Sequence, residues 1–317
     1  MESSLKIGSA QLGPISLAES RYDVVKRLLA LLYKAHSFGV KFIVFPELAL
    51  TTFFPRYWMT NQVDVDRYFE TKMPNEVTQP LFDAAKKLGI GFYLGFAELS
   101  EEDNRIRRFN TSILVGPDGK IIGKYRKIHL PGHSEKRDDV PFQHLEKRYF
   151  EVGNLGFGTW PVFGTRVGMA ICNDRRWPET YRVMALRGAR VVVLGFNTPT
   201  ENINHDEPLH LRMFHHRLVM QAAAYQNGMW IVATAKAGYE DGFHLHGGSC
   251  IISPTGEIVS QSTTEDDEVI VYDCNLKLGD YILNSVFNFK KHRRIEHYGP
   301  ITSQTGVDDL IDVSSKL

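Results

Sequence analysis

Cysteine is scarce in this chain: Cys172, Cys250 and Cys274 are the only three in 317 residues. So odd and sparse a set argues against a disulfide framework and points to a reducing, cytoplasmic setting. Long apolar runs are missing as well. Stretches such as VVVLGF at 191–196 fall far short of the ~20 residues that a membrane-spanning helix needs. The opening MESSLKIGSAQLG has neither the basic head nor the apolar segment of a secretory signal. Neither sign of charge is in excess, since 37 Lys+Arg balance 37 Asp+Glu, which gives no support for a nucleic-acid or membrane-surface role. No linker rich in Pro, Gly or Ser divides the chain, so one domain is expected, with its core over about 5–275 and an arm over about 276–317.

What the chain does have is a strand–helix rhythm. LKIGSAQLG (5–13) reads as a strand. RYDVVKRLLALLYKAHSFG (21–39) reads as a helix, with Val24, Val25, Leu28, Leu32 and Ala35 at helical spacing and Gly39 as its stop. KFIVFPE (41–47) is a buried strand ending on a carboxylate, QPLFDAAKKLG (79–89) a helix and IGFYLGFAEL (90–99) a strand. The PDG in 109–130 marks a hairpin, and SPTGEIVS (253–260) is a second turn of that kind, leading to the strand EVIVYDC (268–274). TRVGMAIC and RVVVLGFN (190–197) are strands around a helix that starts at Pro178; a helix over 211–228 and a strand over 229–238 follow. Such alternation indicates an α/β layer architecture. From Asn275 the regular pattern stops. YILNSVFNFKKHRRIEHYGP is too aromatic for a solvated tail and is expected to pack on the body or on a neighbouring subunit.

Three strands end in a reactive side chain: FIVFPE in Glu47, GKYRK in Lys127 and GMAIC in Cys172. Ligand sites of layered α/β proteins gather at strand ends. Taken singly, Glu47 is a capping carboxylate and Lys127 a surface charge in a basic run. Together with a thiol they describe a nucleophilic site: Glu47 takes the proton, Cys172 attacks a carbonyl carbon and Lys127 stabilises the oxyanion. The polar NDRR after Cys172 supplies cations that favour a thiolate. A strand-to-helix turn ahead of Pro178 is expected to leave the cysteine exposed for attack.

FPELALTTFFP, GKYRKIHLPGH and ICNDRRWPET, in this order and spacing, resemble the three signatures of the nitrilase, or carbon–nitrogen hydrolase, superfamily. NDRRWPE, FQHLEKRYFE, GFNTPT and FNFKKHR narrow the resemblance to the N-carbamoyl-D-amino-acid amidohydrolases, from near residue 5 to about residue 300. The resemblance implies a four-layer α-β-β-α sandwich and a triad of Glu47, Lys127 and Cys172. It also implies a second glutamate, matched by Glu146, that orients the lysine and the substrate amide. It implies no metal or organic cofactor, and a homodimer or homotetramer. The activity implied is hydrolysis of an N-carbamoyl-D-amino acid to the D-amino acid, ammonia and carbon dioxide through a cysteine-bound intermediate.

Such a substrate carries a carboxylate beside its ureido group. Arg175 and Arg176 follow the nucleophile closely enough to grip it, each guanidinium offering two parallel hydrogen bonds. The backbone N–H of Asn173 is placed as a second oxyanion donor. His129 and His144 are expected to donate to the ureido oxygen or the carboxylate, and Asn197, at the end of VVVLGFN, to touch substrate. The histidines of HDEPLHLRMFHH (205–216) suggest a metal, but the spacing of His210, His215 and His216 is not a compact ligand pattern. That stretch reads instead as a polar helix face. The expected partner is therefore a small-molecule substrate, without metal, nucleic acid or membrane. Cys250 and Cys274 lie in apolar strand patterns and read as inert core residues.

Overall fold

A computed structural model describes residues 4–140, 142–201 and 207–307. The first sheet is built from β1 (Ser4–Gln11), β2 (Phe42–Val44), β3 (Phe69–Glu70), β4 (Gly91–Glu102), β5 (Arg105–Val115), β6 (Ile121–Arg126) and β15 (Glu268–Asn275). The second contains β7 (Thr159–Val162), β8 (Thr165–Ile171), β9 (Val191–Phe196), β10 (Trp230–Ala235), β13 (Cys250–Ile252) and β14 (Ile258–Gln261), and β11 (Ala237–Glu240) with β12 (Phe243–His246) forms a separate hairpin. The strand orders are β15-β1-β2-β4-β5-β6, with β3 beside β4, and β14-β13-β10-β9-β8-β7.

The helices are α1 (Arg21–Ser37), α2 (Gln62–Asp66), α3 (Gln79–Leu88), α4 (Glu146–Tyr149), α5 (Pro178–Leu186), α6 (Leu209–Asn227), α7 (Asp280–Asn284), α8 (Phe289–His292) and α9 (Gly299–Ser303). Helix α1 starts where the Ser20 side chain accepts the Asp23 N–H, and it buries Val24, Leu28, Leu32 and Ala35 on one face. With α3 it covers the outer face of the first sheet, where Leu28, Leu81, Phe82, Phe92 and Ile113 share one core. A second core lies between the sheets and beyond the second one: Tyr93, Leu114 and Tyr125 meet Met169, Ile171 and Leu194, while Met184 of α5 and Met220 of α6 close the far side. The layers run α-β-β-α. Among the described residues no helix is long and apolar enough to cross a membrane.

Strand direction decides where the reactive residues meet. β2 runs parallel to β4, and two antiparallel steps bring β6 into the same direction, so Glu47 and Lys127 leave the first sheet at one end. β8 and β9 are parallel, with Ile171 paired to Gly195, so Cys172 and Asn197 leave the second sheet together. The two sheets come so close at Glu47 that side chains are excluded on both sides. A Cβ on Gly95 would lie 2.8 Å from Glu47 Cα, and one on Gly195 would collide with the Glu47 backbone nitrogen.

Three elements differ from the sequence pattern. The strand expected over 41–47 is regular only over Phe42–Val44; Phe45 and Pro46 still bond to β4, through Phe45 N–H to Tyr93 O at 3.0 Å and Gly95 N–H to Pro46 O at 3.2 Å, before Glu47 turns into the space between the sheets. The run over 229–238 breaks at Lys236, whose ammonium is fully buried, and continues as β11 in another sheet. Short helices replace the irregular arm. This segment lies on α5 and α6 through Arg182 over the Phe289 ring at 4.2 Å and Tyr225 against Phe287 at 5.2 Å, and an Arg190–Asp280 ion pair at 2.8 Å ties it to the residue before β9. Residues 308–317 of the expected arm lie outside the described residues.

Candidate active site

Glu47 is held at both of its carboxylate oxygens. Asn110 Nδ2 donates to Oε1 at 2.7 Å, the backbone N–H of Asn197 donates to Oε2 at 3.0 Å, and Asn197 Nδ2 donates to the Glu47 carbonyl at 3.0 Å. Lys127, directly after β6, donates its backbone N–H to Asn110 O at 2.8 Å. Its ammonium sits 2.7 Å from Glu47 Oε1 and 2.6 Å from Glu146 Oε2. All three side chains are fully buried. Glu146 opens α4, a four-residue turn, and its other oxygen lies 3.2 Å from His144 Nε2.

Cys172 begins a short 3₁₀ turn over Cys172–Arg176, at φ +47°. A non-glycine residue occupies that left-handed region only where its surroundings impose it. Asp174 is the brace: Oδ2 accepts the Ile171 N–H at 3.0 Å and the Tyr125 hydroxyl at 2.7 Å, and Oδ1 accepts the His129 N–H at 3.0 Å. Arg175 adds a bond to the Cys172 carbonyl at 2.8 Å.

The cysteine is not exposed, as the turn had suggested; it is 5 % accessible. Nor is it poised as a thiolate. Burial, then the charge of Glu47, pushes the thiol up to about 11, against the opposing pull of Lys127 and Arg175. A thiol in that condition needs a base. Burial raises the Glu47 carboxyl, only partly countered by Lys127, and the charge of Glu146 raises it further. Burial would raise Glu146 too, but there Lys127 and His144 overturn it and hold the carboxyl below its usual range. Burial pulls the Lys127 ammonium down, but Cys172, Glu146 and Glu47 hold it well above the ordinary lysine range. Two carboxylates pushed in opposite directions are suited to different roles, Glu47 to exchanging a proton and Glu146 to keeping the lysine charged.

The remaining sequence-selected residues take varied places. His144 Nδ1 and Asn197 Oδ1 are buried beside the cluster without a hydrogen-bond partner, and so is Asn110 Oδ1. Such orphaned atoms are what a substrate or a water would complete. His129 is turned toward the protein: Nδ1 lies 2.8 Å from Asp174 Oδ1, and the ring stacks on Trp177 at 4.8 Å. Asn173 Nδ2 donates to His129 O at 3.2 Å. Arg175 is 1 % exposed and points inward, to Cys172, Thr198 and His216. The Arg176 guanidinium, half-buried, meets no hydrogen-bond partner among the described residues; its charge is felt by Cys172, Arg175 and Glu207. His215 pairs with Glu207 and His216 with Arg175, while His205 lies outside the described residues. Among the described residues no group of three or more His, Cys, Asp or Glu is placed to hold a metal ion.

Sequence reasoning missed Asn110, Tyr125, Asp174 and His216. Asn110 left a signal, since FNTSILV places an amide, a residue type depleted in strands, inside an otherwise apolar one.

The family model for carbon-nitrogen hydrolases matches residues 6–280. A nitrilase of Pyrococcus abyssi is 30 % identical over 296 residues, covering 93 % of this chain and 99 % of that protein. An N-carbamoylputrescine amidase of Solanum lycopersicum is 31 % identical over 253 residues, 76 % of this chain and 77 % of that one. Among solved structures, a carbon-nitrogen hydrolase from Helicobacter pylori superposes with a TM-score of 0.80 at 21 % identity, covering 95 % of this chain and 99 % of that chain.

Proposed function

The chain belongs to the carbon–nitrogen hydrolase family, and on that premise we propose that it hydrolyses N-carbamoyl-D-amino acids, with Cys172 as the nucleophile. The observation that carries the substrate class is Arg176: a half-buried guanidinium, unpaired among the described residues and within electrostatic reach of the cysteine. Burying such a charge is costly until an anion pairs with it. A substrate carboxylate supplies that anion. The D series rests on the sequence resemblance.

In the proposed reaction Glu47 removes the thiol proton as sulfur bonds to the ureido carbon. The carbonyl oxygen becomes an oxyanion, held by the Lys127 ammonium and the Asn173 N–H. The carbon–NH₂ bond then breaks; Glu47 returns the proton and ammonia leaves, giving a thiocarbamate on Cys172. A water deprotonated by Glu47 attacks that carbon, the C–S bond breaks, and the released carbamate decomposes to carbon dioxide and the amino acid. His144, Asn110 and Asn197 contribute the orphaned atoms that orient the ureido group and the water.

We also read the chain as a homodimer or homotetramer acting in a reducing, cytoplasmic setting. Its three cysteines are free thiols, and Leu209, Phe214 and Leu218 of α6 and Val286 and Ile295 beyond it are exposed apolar side chains.

Ammonia and amino acid release from matched N-carbamoyl-D- and N-carbamoyl-L-amino acids tests the reading. Release from the D form alone, abolished in Cys172→Ala, is the expected result. Turnover of plain amides or nitriles with none of either ureido acid would overturn the substrate class and keep the nucleophile.

A further inference from the structure

Arg175 and Arg176 are neighbours in sequence, yet of the two only Arg176 is without a hydrogen-bond partner among the described residues. Arg175 Nε donates to His216 Nδ1 at 3.1 Å, Nη2 donates to Thr198 Oγ1 at 2.8 Å, and Nη1 donates to the Cys172 carbonyl at 2.8 Å. The same Nη1 faces Cys172 Sγ at 3.6 Å. The guanidinium carbon lies 4.8 Å from the centre of the Phe196 ring. These partners are neutral, and together they fix the plane of the group.

His216, fully buried on α6, sets that plane from behind. Because Nδ1 accepts from Arg175, the ring proton belongs on Nε2, which faces the Gly248 carbonyl at 3.3 Å. One face of the imidazole is thus anchored to backbone and the other receives the guanidinium. Burial, reinforced by the charges of Arg175, His246 and Arg176, holds His216 well below the usual histidine range, so the ring stays a neutral acceptor.

We propose that His216 is a positioning residue for the nucleophile: it aims Arg175 so that one guanidinium nitrogen ties the Cys172 carbonyl and presents positive charge to the sulfur as the thiolate forms. Cys172 sits at φ +47°, and the carbonyl bond from Arg175 is one of the restraints that hold it there. Around the sulfur, Glu47 and Glu146 oppose ionisation, while Lys127 and Arg175 favour it. If Arg175 is misaimed, Lys127 and Arg176 are left against the two carboxylates. The assignment rests on the reading of Cys172 as the nucleophile, and it leaves substrate carboxylate binding to Arg176.

The test is the pH dependence of Cys172 alkylation by iodoacetamide, followed by mass spectrometry of the Cys172 peptide, which needs no substrate. Asparagine places a polar atom where Nδ1 was, whereas glutamine places one where Nε2 was. His216→Asn is therefore expected to retain the wild-type profile. His216→Gln is expected to shift it alkaline by about one pH unit, roughly a tenfold slower reaction at a fixed pH below the midpoint. In an Arg175→Met background His216→Gln is expected to add nothing. Equal shifts for the asparagine and glutamine variants, an unshifted glutamine variant, or a further shift in the Arg175→Met background would each overturn the proposal. The paired substitutions are close in size to histidine, and circular dichroism of both confirms that folded proteins are compared. Absence of ureido-acid turnover would remove the proposed substrate and leave this comparison intact.

Discussion

The buried carboxylate pair makes opposite predictions for two neighbouring substitutions. The negative charge of Glu146 raises Glu47, and the Asn110 hydrogen bond lowers it. The acid limb of kcat/KM reports protonation of the free enzyme's base, so Glu146→Gln is expected to move that limb to lower pH. Asn110→Ala is expected to move it to higher pH. Both variants should lose kcat, Glu146→Gln by about 10²-fold or more because the oxyanion cation loses one of its two holders. A shift of the two limbs in the same direction would show that the proton acceptor is another group. At this scale the sequence spoke unevenly. Glu47 and Cys172 were legible because each closes an apolar strand, and Lys127 because it ends a hairpin strand in step with them. Arg175 and Arg176 were indistinguishable, because only tertiary packing turns one inward and leaves the other unpaired.

Among the elements, the loop after Glu47 is pinned by a charge network with no counterpart in the sequence pattern. Glu240 at the end of β11 accepts the Phe53 N–H at 2.6 Å and pairs with Arg56 and Lys236, each at 2.8 Å, all almost fully buried. Lys236 also donates to Thr51 O at 2.9 Å. Burial would raise the Glu240 carboxyl, but Lys236 and Arg56 hold it below its usual range. Its contribution to stability is therefore present above the ordinary carboxylate range and is lost as pH falls through the depressed value. Glu240→Gln leaves two buried cations short of a partner and is expected to cost about 3–5 kcal/mol, read as a lowered denaturation midpoint at neutral pH. Periodicity revealed the long helices α1, α3, α5 and α6. It could not reveal α4, which is too short to show a period, nor the β11–β12 hairpin, whose Glu240 and Asp241, like Lys236 just before it, look like ordinary surface charge.

Across the whole molecule, the groups of the candidate site are divided between two sheets: the first contributes Glu47 and Lys127, and the second Cys172 and Asn197. α5, α6 and the C-terminal segment flank a cleft of about 880 Å³ that reaches Arg175 and Arg176 from the outer side. Val286 and Ile295 of that segment are 62 % and 68 % exposed. If these side chains are covered by another copy, Val286→Asp with Ile295→Asp should give a smaller species in size-exclusion chromatography with scattering detection. An unchanged mass would place the subunit contact elsewhere.

Glu47 is seated where Gly95 of one sheet and Gly195 of the other leave no side chain between backbone and backbone. The enzyme thereby carries its own strain gauge. Slip between the sheets would act directly on Glu47, the proposed base. Activity should therefore vanish at urea concentrations where far-ultraviolet circular dichroism is still native. Gly195→Ala should reproduce that inactive, folded condition without denaturant.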